Sequence, residues 1–137
     1  MEIKENVLTA EQFLHLFTAV GWEPPSYEQA EKALYNSYAT FLVFDGEKIC
    51  GMARLLGDGA MSFYVKDFAV LPEMQGKGIG RMLMEYIEEF IRRNLEEGWA
   101  VSLELISAKG KEAFYEKLGF EARPCVWDGP GMFKMLR

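Results

Sequence analysis

The sequence predicts an α/β fold in which a mixed, mostly antiparallel sheet of about six or seven strands carries helices on both faces. Three observations lead to this class: short turns join three consecutive strand segments, a glycine-rich turn opens a long amphipathic helix, and another strand follows that helix. The short turns predict an antiparallel meander, whereas a strand–helix–strand connection makes its two strands parallel. Half of the 137 residues are hydrophobic, so we expect a single domain over residues 1–137.

The N-terminal part predicts one short strand, at residues 3–7, followed by two helices. Thr9-x-x-Gln12 is a capping box that precedes an apolar helical pattern. Ser26-x-x-Gln29 caps a second helix that extends to about Asn36. The glycine and prolines of residues 21–25 separate the two helices.

The remaining elements follow from apolar runs that alternate with turn residues. Further strands are predicted at residues 41–44, 48–56, 61–71, 100–106, 120–127 and 132–136. One helix is predicted from Gly78 to about Asn94, because its apolar residues recur at three- and four-residue steps. Another is predicted from Lys109 to Leu118, with Gly119 as the residue just past its end.

Residues 75–81, Gln-Gly-Lys-Gly-Ile-Gly-Arg, are the most informative stretch of the chain. They lie between a strand and a helix, where glycines let a ligand approach the backbone and the helix N-terminus offers unpaired N–H groups. Lys77 and Arg81 add positive charge, and no carboxylate occurs in residues 74–84. The stretch therefore predicts a pyrophosphate site.

This stretch has three other interpretations. A Walker-type loop fails because Gly76-Lys77 is followed by Gly78 and position 71 is a leucine. A dinucleotide fingerprint is disfavoured because the third glycine is one residue too early and the preceding strand is the fourth rather than the first. A glycine-rich helix entry that binds no ligand stays open as an alternative.

Two sequence blocks resemble the GNAT superfamily of acyl-CoA N-acyltransferases. Gln75-x-x-Gly78-x-Gly80 is similar to the family's pyrophosphate motif, Gln/Arg-x-x-Gly-x-Gly/Ala, with a proline upstream. Residues 113–120, Ala-Phe-Tyr-Glu-Lys-Leu-Gly-Phe, resemble the family's C-terminal helix, which ends in Tyr-x-x-x-Gly-Phe. The resemblance covers roughly residues 62–122 and implies an N-acetyltransferase that takes acetyl-CoA as its acyl-donor cosubstrate and transfers the acetyl group directly to a primary amine, without a metal.

The resemblance also implies which residues bind the cofactor. Backbone groups at the end of the strand before the glycine turn would pair with the pantetheine arm, and the amide of Val70 would face the thioester carbonyl as an oxyanion donor. The residues of the turn and helix start would hold the pyrophosphate. The cofactor-binding residues expected on this basis are Phe68, Ala69, Val70, Gln75, Gly76, Lys77, Gly78, Ile79, Gly80 and Arg81.

Three residues are candidates for proton transfer. The resemblance implies that Tyr115 is the general acid for the CoA thiolate, although a tyrosine in an amphipathic helix is also common as a core aromatic. Glu104 is the first candidate for the base, because it lies between two leucines on a strand expected to be central. Asp67 is its rival, and a turn-facing or paired carboxylate is the alternative interpretation there.

The acceptor site is expected between the first two helices and the meander, as in the family. Trp22, Arg54 and Asp58 are the candidate substrate-binding residues. The family often has an asparagine at the start of its last helix, whereas residues 107–111 here are Ser-Ala-Lys-Gly-Lys. Two rival functions also fit the sequence: a non-catalytic acyl-CoA-binding sensor and a nucleotide-binding module.

The charge of the chain limits the classes of partner that it is expected to bind. The net charge is −6 and the isoelectric point is near 4.9, so the surface repels nucleic acid and anionic lipid and attracts amines. We therefore expect a small-molecule or peptide amine acceptor, with no nucleic acid and no membrane partner. The sequence neither requires nor excludes a homodimer.

The location and thiol chemistry are expected to be those of a cytoplasmic protein. The apolar runs are too short to span a bilayer, and the first residues lack an apolar signal core. Cys50 and Cys125 show no metal-binding spacing and belong to no nucleophile motif. We expect free thiols and no covalent acyl-enzyme.

Overall fold

The computed structural model describes residues 1–137, which form five strands and four α-helices. The strands are β1 (Glu2–Glu5), β2 (Ala39–Asp45), β3 (Lys48–Gly57), β4 (Ser62–Val70) and β5 (Ser102–Glu104). The helices are α1 (Ala10–Ala19), α2 (Tyr27–Tyr35), α3 (Ile79–Asn94) and α4 (Glu112–Lys117). The chain divides into two compact units, Met1–Glu104 with the whole sheet and α1–α3, and Leu105–Arg137 with α4.

The sheet confirms the predicted strand directions. Its order is β1-β2-β3-β4-β5, the pairs among the first four strands are antiparallel, and β4 pairs with β5 in parallel. The antiparallel part is the meander that the short turns predicted. The parallel pair follows from the α3 crossover, as expected for a strand–helix–strand unit.

Helices cover both faces of the sheet in the first unit, as predicted. Phe41 of β2 pairs with Ala53 of β3, so both side chains point to the same face. On that face the Phe41 ring packs edge-on against Phe90 of α3, with 5.2 Å between centroids. Arg54 follows Ala53 and so points to the other face, where its guanidinium approaches the Ala33 carbonyl of α2.

The first two helices begin where the sequence predicts. Thr9 Oγ1 accepts a hydrogen bond from the Gln12 amide at 3.2 Å, and Gln12 Oε1 accepts one from the Thr9 amide at 3.0 Å. This reciprocal pair is the predicted capping box. At α2, Ser26 Oγ accepts from the Gln29 amide at 3.1 Å.

The longest helix, α3, is fixed to the first strand as well as to the core. Its buried face consists of Ile79, Leu83, Met84, Ile87, Phe90 and Ile91. Glu5 of β1 accepts hydrogen bonds from the Tyr86 hydroxyl and the Arg93 guanidinium, both at 2.7 Å. These bonds, the one to Arg93 first, hold the pKa of the Glu5 carboxyl below its ordinary value. None of the α-helices combines the length and the hydrophobicity that a membrane span requires.

The prediction of six or seven strands is wrong, because the sheet has five. Residues 120–127 and 132–136 form no strand. Pro124 has no N–H to donate to a strand ladder, and the Cys125 amide donates instead to the Asp128 carbonyl at 2.8 Å, which closes a turn. Without a strand over residues 120–127, residues 132–136 lack the antiparallel neighbour that the prediction assumed. The strand predicted over residues 100–106 is also shorter, and it lies at the edge of the sheet.

The second unit contains the predicted helix end. The Phe120 amide donates to the Tyr115 carbonyl at 3.1 Å and the Gly119 amide donates to the Glu116 carbonyl at 3.0 Å. This pair of bonds is a Schellman motif, and Gly119 has the left-handed φ of +95° that the motif requires. The helix begins at Glu112 rather than at Lys109, because residues 109–110 form a turn.

Candidate functional site

β4 contains a bulge in its second half. Between the pairs Met52–Ala69 and Arg54–Lys66, β3 contributes one residue and β4 contributes two. The first of those two, Asp67, has φ +52°. This left-handed conformation is costly for most residues and less so for aspartate. A bulge of this kind bends the strand and redirects its side chains.

β4 separates from β5 soon after the two strands meet. Their pairing ends at Tyr64–Glu104, although β4 continues to Val70 with β3 as its only partner in the sheet. The Leu71 amide donates to the Cys50 carbonyl of β3 at 2.9 Å. Because N–H groups alternate sides along a strand, the Val70 amide points away from β3. The end of β4 therefore offers backbone groups on the side where β5 no longer pairs.

The glycine turn lies directly after β4. A 3₁₀ turn at Pro72–Met74 leads into it, and Gly76 and Gly78 have φ values of +77° and +82°. Glycine adopts this region without the cost that a Cβ imposes. A Cβ built at either position would meet no atom within 4 Å. The space beside both glycines is thus open.

The N-terminus of α3 has no cap. Its first hydrogen bond runs from the Met82 amide to the Gly78 carbonyl, so the amides of Ile79, Gly80 and Arg81 have no partner within the helix. The capping position is Gly78, which has no side chain to accept from them, and the first turn contains no acidic residue. Three free donors and the positive end of the helix dipole suit a bound anion.

The polar side chains of the turn have different tasks. Gln75 Nε2 donates to the Val70 carbonyl at 3.0 Å, which ties the turn to the end of β4. Arg81 pairs with Glu85 one helical turn later, with 2.9 Å between Nε and Oε1. Lys77 forms no ion pair and approaches only the Met74 sulfur, at 3.9 Å. Lys77 is therefore the cation that the turn leaves available to an incoming anion.

Asp67 and Arg54, predicted for separate roles, form one ion pair. Arg54 Nε lies 2.6 Å from Asp67 Oδ2, and the two side chains are only 14% and 10% exposed. The guanidinium also approaches the Ala33 carbonyl at 3.5 Å and the Ser37 hydroxyl at 3.4 Å, at the end of α2. The pair connects α2 to the bulge of β4. Proton abstraction by Asp67 would compete with this pair, which argues against Asp67 as the base.

Glu104 is half-buried at the end of β5, directly beside Tyr64 of β4. Burial and then the negative charge of Glu104 raise the pKa of the Tyr64 hydroxyl. The strand that carries Glu104 is an edge strand and not the central one that the sequence predicted. Its carboxylate lies where β4 and β5 separate, which is where a ligand inserted between the strands would pass.

Tyr115 belongs to α4 in the second unit, where it is half-buried. Its ring packs edge-on against Phe114 and Phe120, with centroid distances of 5.0 and 6.0 Å. Burial raises the pKa of its phenol above the ordinary value of 10. Tyr115 therefore keeps its proton at neutral pH, as a general acid must.

The other two predicted acceptor residues have structural partners. Asp58 Oδ1 accepts hydrogen bonds from the amides of Ala60, Met61 and Ser62, and these bonds lower its pKa to about 2. Asp58 thus holds the turn between β3 and β4. Trp22 packs edge-on against Phe17 at 5.0 Å, which extends the aromatic packing of α1.

The sequence predicts separate roles for Arg54 and Asp67 and does not indicate that they form an ion pair. It also does not indicate a groove between α2 and the β1–α1 connection. The spacing of Tyr27, Glu31 and Tyr35 at four-residue steps was the signal that could have indicated this groove.

No group of three or more His, Cys, Asp or Glu side chains could hold a metal ion. Cys50 and Cys125 are free thiols.

Comparison with known proteins extends what the geometry suggests. The family model described as an acetyltransferase (GNAT) domain matches residues 36–122. A solved GNAT family acetyltransferase from Streptococcus pneumoniae TIGR4 is 36% identical, with a TM-score of 0.79 over 99% of this chain and 98% of that one. A probable acetyltransferase of unknown function from meticillin-resistant Staphylococcus aureus is 30% identical, with a TM-score of 0.83 over 98% of both chains.

Curated relatives match less completely. An uncharacterized N-acetyltransferase, ycf52-like, from Prochlorococcus marinus is 29% identical over 113 residues, which are 80% of this chain and 61% of that protein. The chain spans about half the length of the next two relatives, 47% and 48%.

Proposed function

Because this chain belongs to the GNAT acetyltransferase family, we propose that it transfers an acetyl group from acetyl-CoA directly to a primary amine. The end of β4 is the observation that carries this proposal. There a bulge, a strand edge without a partner in β5 and the uncapped start of α3 follow one another within residues 67–81. Acetyl-CoA carries its thioester on a long arm that leads to a pyrophosphate. The free strand edge suits the arm, and the uncapped helix start suits the pyrophosphate.

The pyrophosphate is assigned to the glycine turn. The free amides of Ile79, Gly80 and Arg81 would donate to its oxygens, and Lys77 would add a mobile positive charge. The left-handed glycines keep side chains out of the anion's approach. Gln75 acts indirectly, since its side chain holds the turn against β4.

The pantetheine arm is assigned to the edge of β4 at Phe68, Ala69 and Val70. The direction of the Val70 amide supports this assignment, because it points to the side that β5 leaves open. An amide there can donate to the thioester oxygen when that oxygen becomes negative. The fixed edge also orients the two substrates, which supplies much of the rate in such a transfer.

The reaction needs two proton movements. The amine nitrogen attacks the thioester carbonyl carbon, the carbonyl oxygen takes up negative charge, and its return breaks the C–S bond. The nitrogen loses a proton, which we assign to Glu104 directly or through water. The sulfur leaves as a thiolate and gains a proton or a hydrogen bond, which we assign to Tyr115.

Replacing Gly78 with valine should weaken acetyl-CoA binding by at least about tenfold, roughly 1.4 kcal/mol. The reason is that a branched side chain would enter the open side of the turn and disfavour the φ of +82°. Calorimetric titration with acetyl-CoA measures this change. Gly98→Val is the matched control, because Gly98 has φ +86°, equally open surroundings and no part in the turn. Equal acetyl-CoA affinities of the two variants would show that the pyrophosphate does not bind at this turn.

Replacing Glu104 with glutamine should lower kcat at neutral pH. Glutamine keeps the size of the side chain but cannot accept the amine proton. Measurement of kcat with both substrates saturating gives this effect, and the thermal midpoint of the variant shows separately whether its stability has changed. An unchanged kcat would mean that Asp67 or solvent, and not Glu104, accepts the amine proton.

A turnover assay distinguishes the proposed enzyme from a sensor that only binds acyl-CoA. Thiol release from acetyl-CoA is followed with a panel of aromatic, aliphatic and peptide amines. A rate that depends on the amine and saturates with it supports direct transfer. CoA binding without turnover on any amine would favour the sensor.

A further inference from the structure

We propose that a groove between α2 and the β1–α1 connection binds a small alkylammonium ion. The groove has a volume of about 630 Å³, which is in the usual range for a small-molecule site. Its floor contains the buried residues Leu8, Ala10 and Thr40. This proposal concerns a site outside the end of β4 and does not require that the protein acetylate its ligand.

The wall formed by α2 presents one carboxylate between two aromatic rings. Tyr27, Glu31 and Tyr35 are four residues apart along the helix, so they lie on one side of it. Tyr38, just past the helix, adds a third tyrosine to the lining. Aromatic faces attract cations, and alkylated ammonium groups in particular are bound by such rings.

The charge in the groove has no partner of its own. Glu31 is the only charged residue of the lining, and it forms no hydrogen bond or ion pair. The chain's own cation–π contacts lie elsewhere, from Lys4 to Phe44 and from Arg93 to the rings of α3. A cation from solution is the occupant that complements an unpaired carboxylate flanked by uncovered rings.

The shape and the chemistry favour a small organic cation. The aliphatic lining residues Leu8, Ala10 and Leu34 suit methyl or methylene groups, whereas a metal ion would need several oxygen ligands and finds one carboxylate. Tyr35 is 88% exposed, so a ring in this position gains buried surface only when a ligand or another molecule covers it. The net charge of −6 raises the local concentration of any such cation.

The test uses tetramethylammonium as the probe and the full chain, in buffer of physiological ionic strength. Tyrosine ring signals in NMR spectra should shift and saturate with the cation, and the neutral isostere tert-butanol should cause no comparable shift. Glu31→Gln should weaken the binding about fivefold, because it removes the one charge that faces the ligand. Tyr35→Leu should weaken it about threefold, and Tyr35→Phe should preserve it because the ring remains.

Glu28→Gln is the matched control for the charge. Glu28 lies on the same helix, three residues from Glu31, and does not line the groove. Its loss changes the net charge equally but removes no charge that faces the ligand, so Glu28→Gln should weaken the binding clearly less than Glu31→Gln does. Equal effects of Glu28→Gln and Glu31→Gln would overturn the proposal. So would equal binding of tert-butanol, or sedimentation data in which Tyr35→Leu dissociates a dimer, because a second copy would then be the occupant.

Discussion

Arg54→Met is expected to lower the free energy of unfolding by roughly 3 kcal/mol, because it leaves a carboxylate without its counter-ion inside the fold. The Asp67 side chain is 10% exposed and lies 2.6 Å from the Arg54 guanidinium. Asp67 also has a left-handed backbone, so it cannot relax easily into an ordinary strand conformation. Urea denaturation, with the slope of the transition compared between variants, measures the loss.

A second substitution distinguishes the buried charge from lost packing. Asp67→Asn keeps the size of the side chain and tolerates the left-handed φ, but it removes the charge. The double variant Arg54→Met, Asp67→Asn should therefore be more stable than Arg54→Met alone, although it carries one more substitution. If Asp67→Asn lowers the stability of the Arg54→Met protein further, Arg54 acts through packing and the ion pair contributes little.

The same variants should affect catalysis in a defined way. The ion pair fixes the bulge one residue before Phe68, where the edge assigned to pantetheine begins. A loosened bulge would misplace the Val70 amide, so Arg54→Met is expected to reduce kcat more than acetyl-CoA affinity, which the glycine turn supplies. Arg54→Lys keeps the charge, so its kcat should lie between the kcat of Arg54→Met and that of the original chain.

Local features of the fold were predictable from the sequence because their causes are local. The capping box of α1, the Ser26 cap of α2, the glycine turn and the Gly119 helix end each depend on residues within about six positions of one another. The parallel pair of β4 and β5 was also predictable, since a crossover helix leaves no other arrangement.

Features that depend on distant residues were not predictable. Arg54 and Asp67 meet because a bulge shifts the register of β3 and β4, and no residue pattern announces that shift. The strands predicted at residues 120–127 and 132–136 have alternating or apolar residues, yet Pro124 has no N–H to donate and the Cys125 amide is used locally by the Asp128 carbonyl. Glu104 consequently lies at the edge of the sheet and not in its middle.

Tyr115→Phe is expected to reduce turnover by about a hundredfold, the lower end of the usual contribution of a general acid. The lower end applies because a thiolate is already a tolerable leaving group. The substitution removes only the hydroxyl, so the ring contacts with Phe114 and Phe120 and the Schellman end at Gly119 should survive. Acetyl-CoA affinity and the thermal midpoint should therefore stay close to those of the original chain.

The pH profile makes this prediction specific. Burial raises the pKa of the Tyr115 phenol above 10, so the hydroxyl remains protonated, and able to donate, throughout the neutral range. Tyr115 should thus add no slope to kcat between about pH 7 and 9, and its loss should lower the whole profile without changing its shape there. Tyr86→Phe is the control, because its hydroxyl bonds to Glu5 and its removal should reduce stability without this drop in turnover. A Tyr115→Phe protein that keeps its full rate with chemistry limiting would make Tyr115 a packing residue and leave the thiolate to be protonated by water.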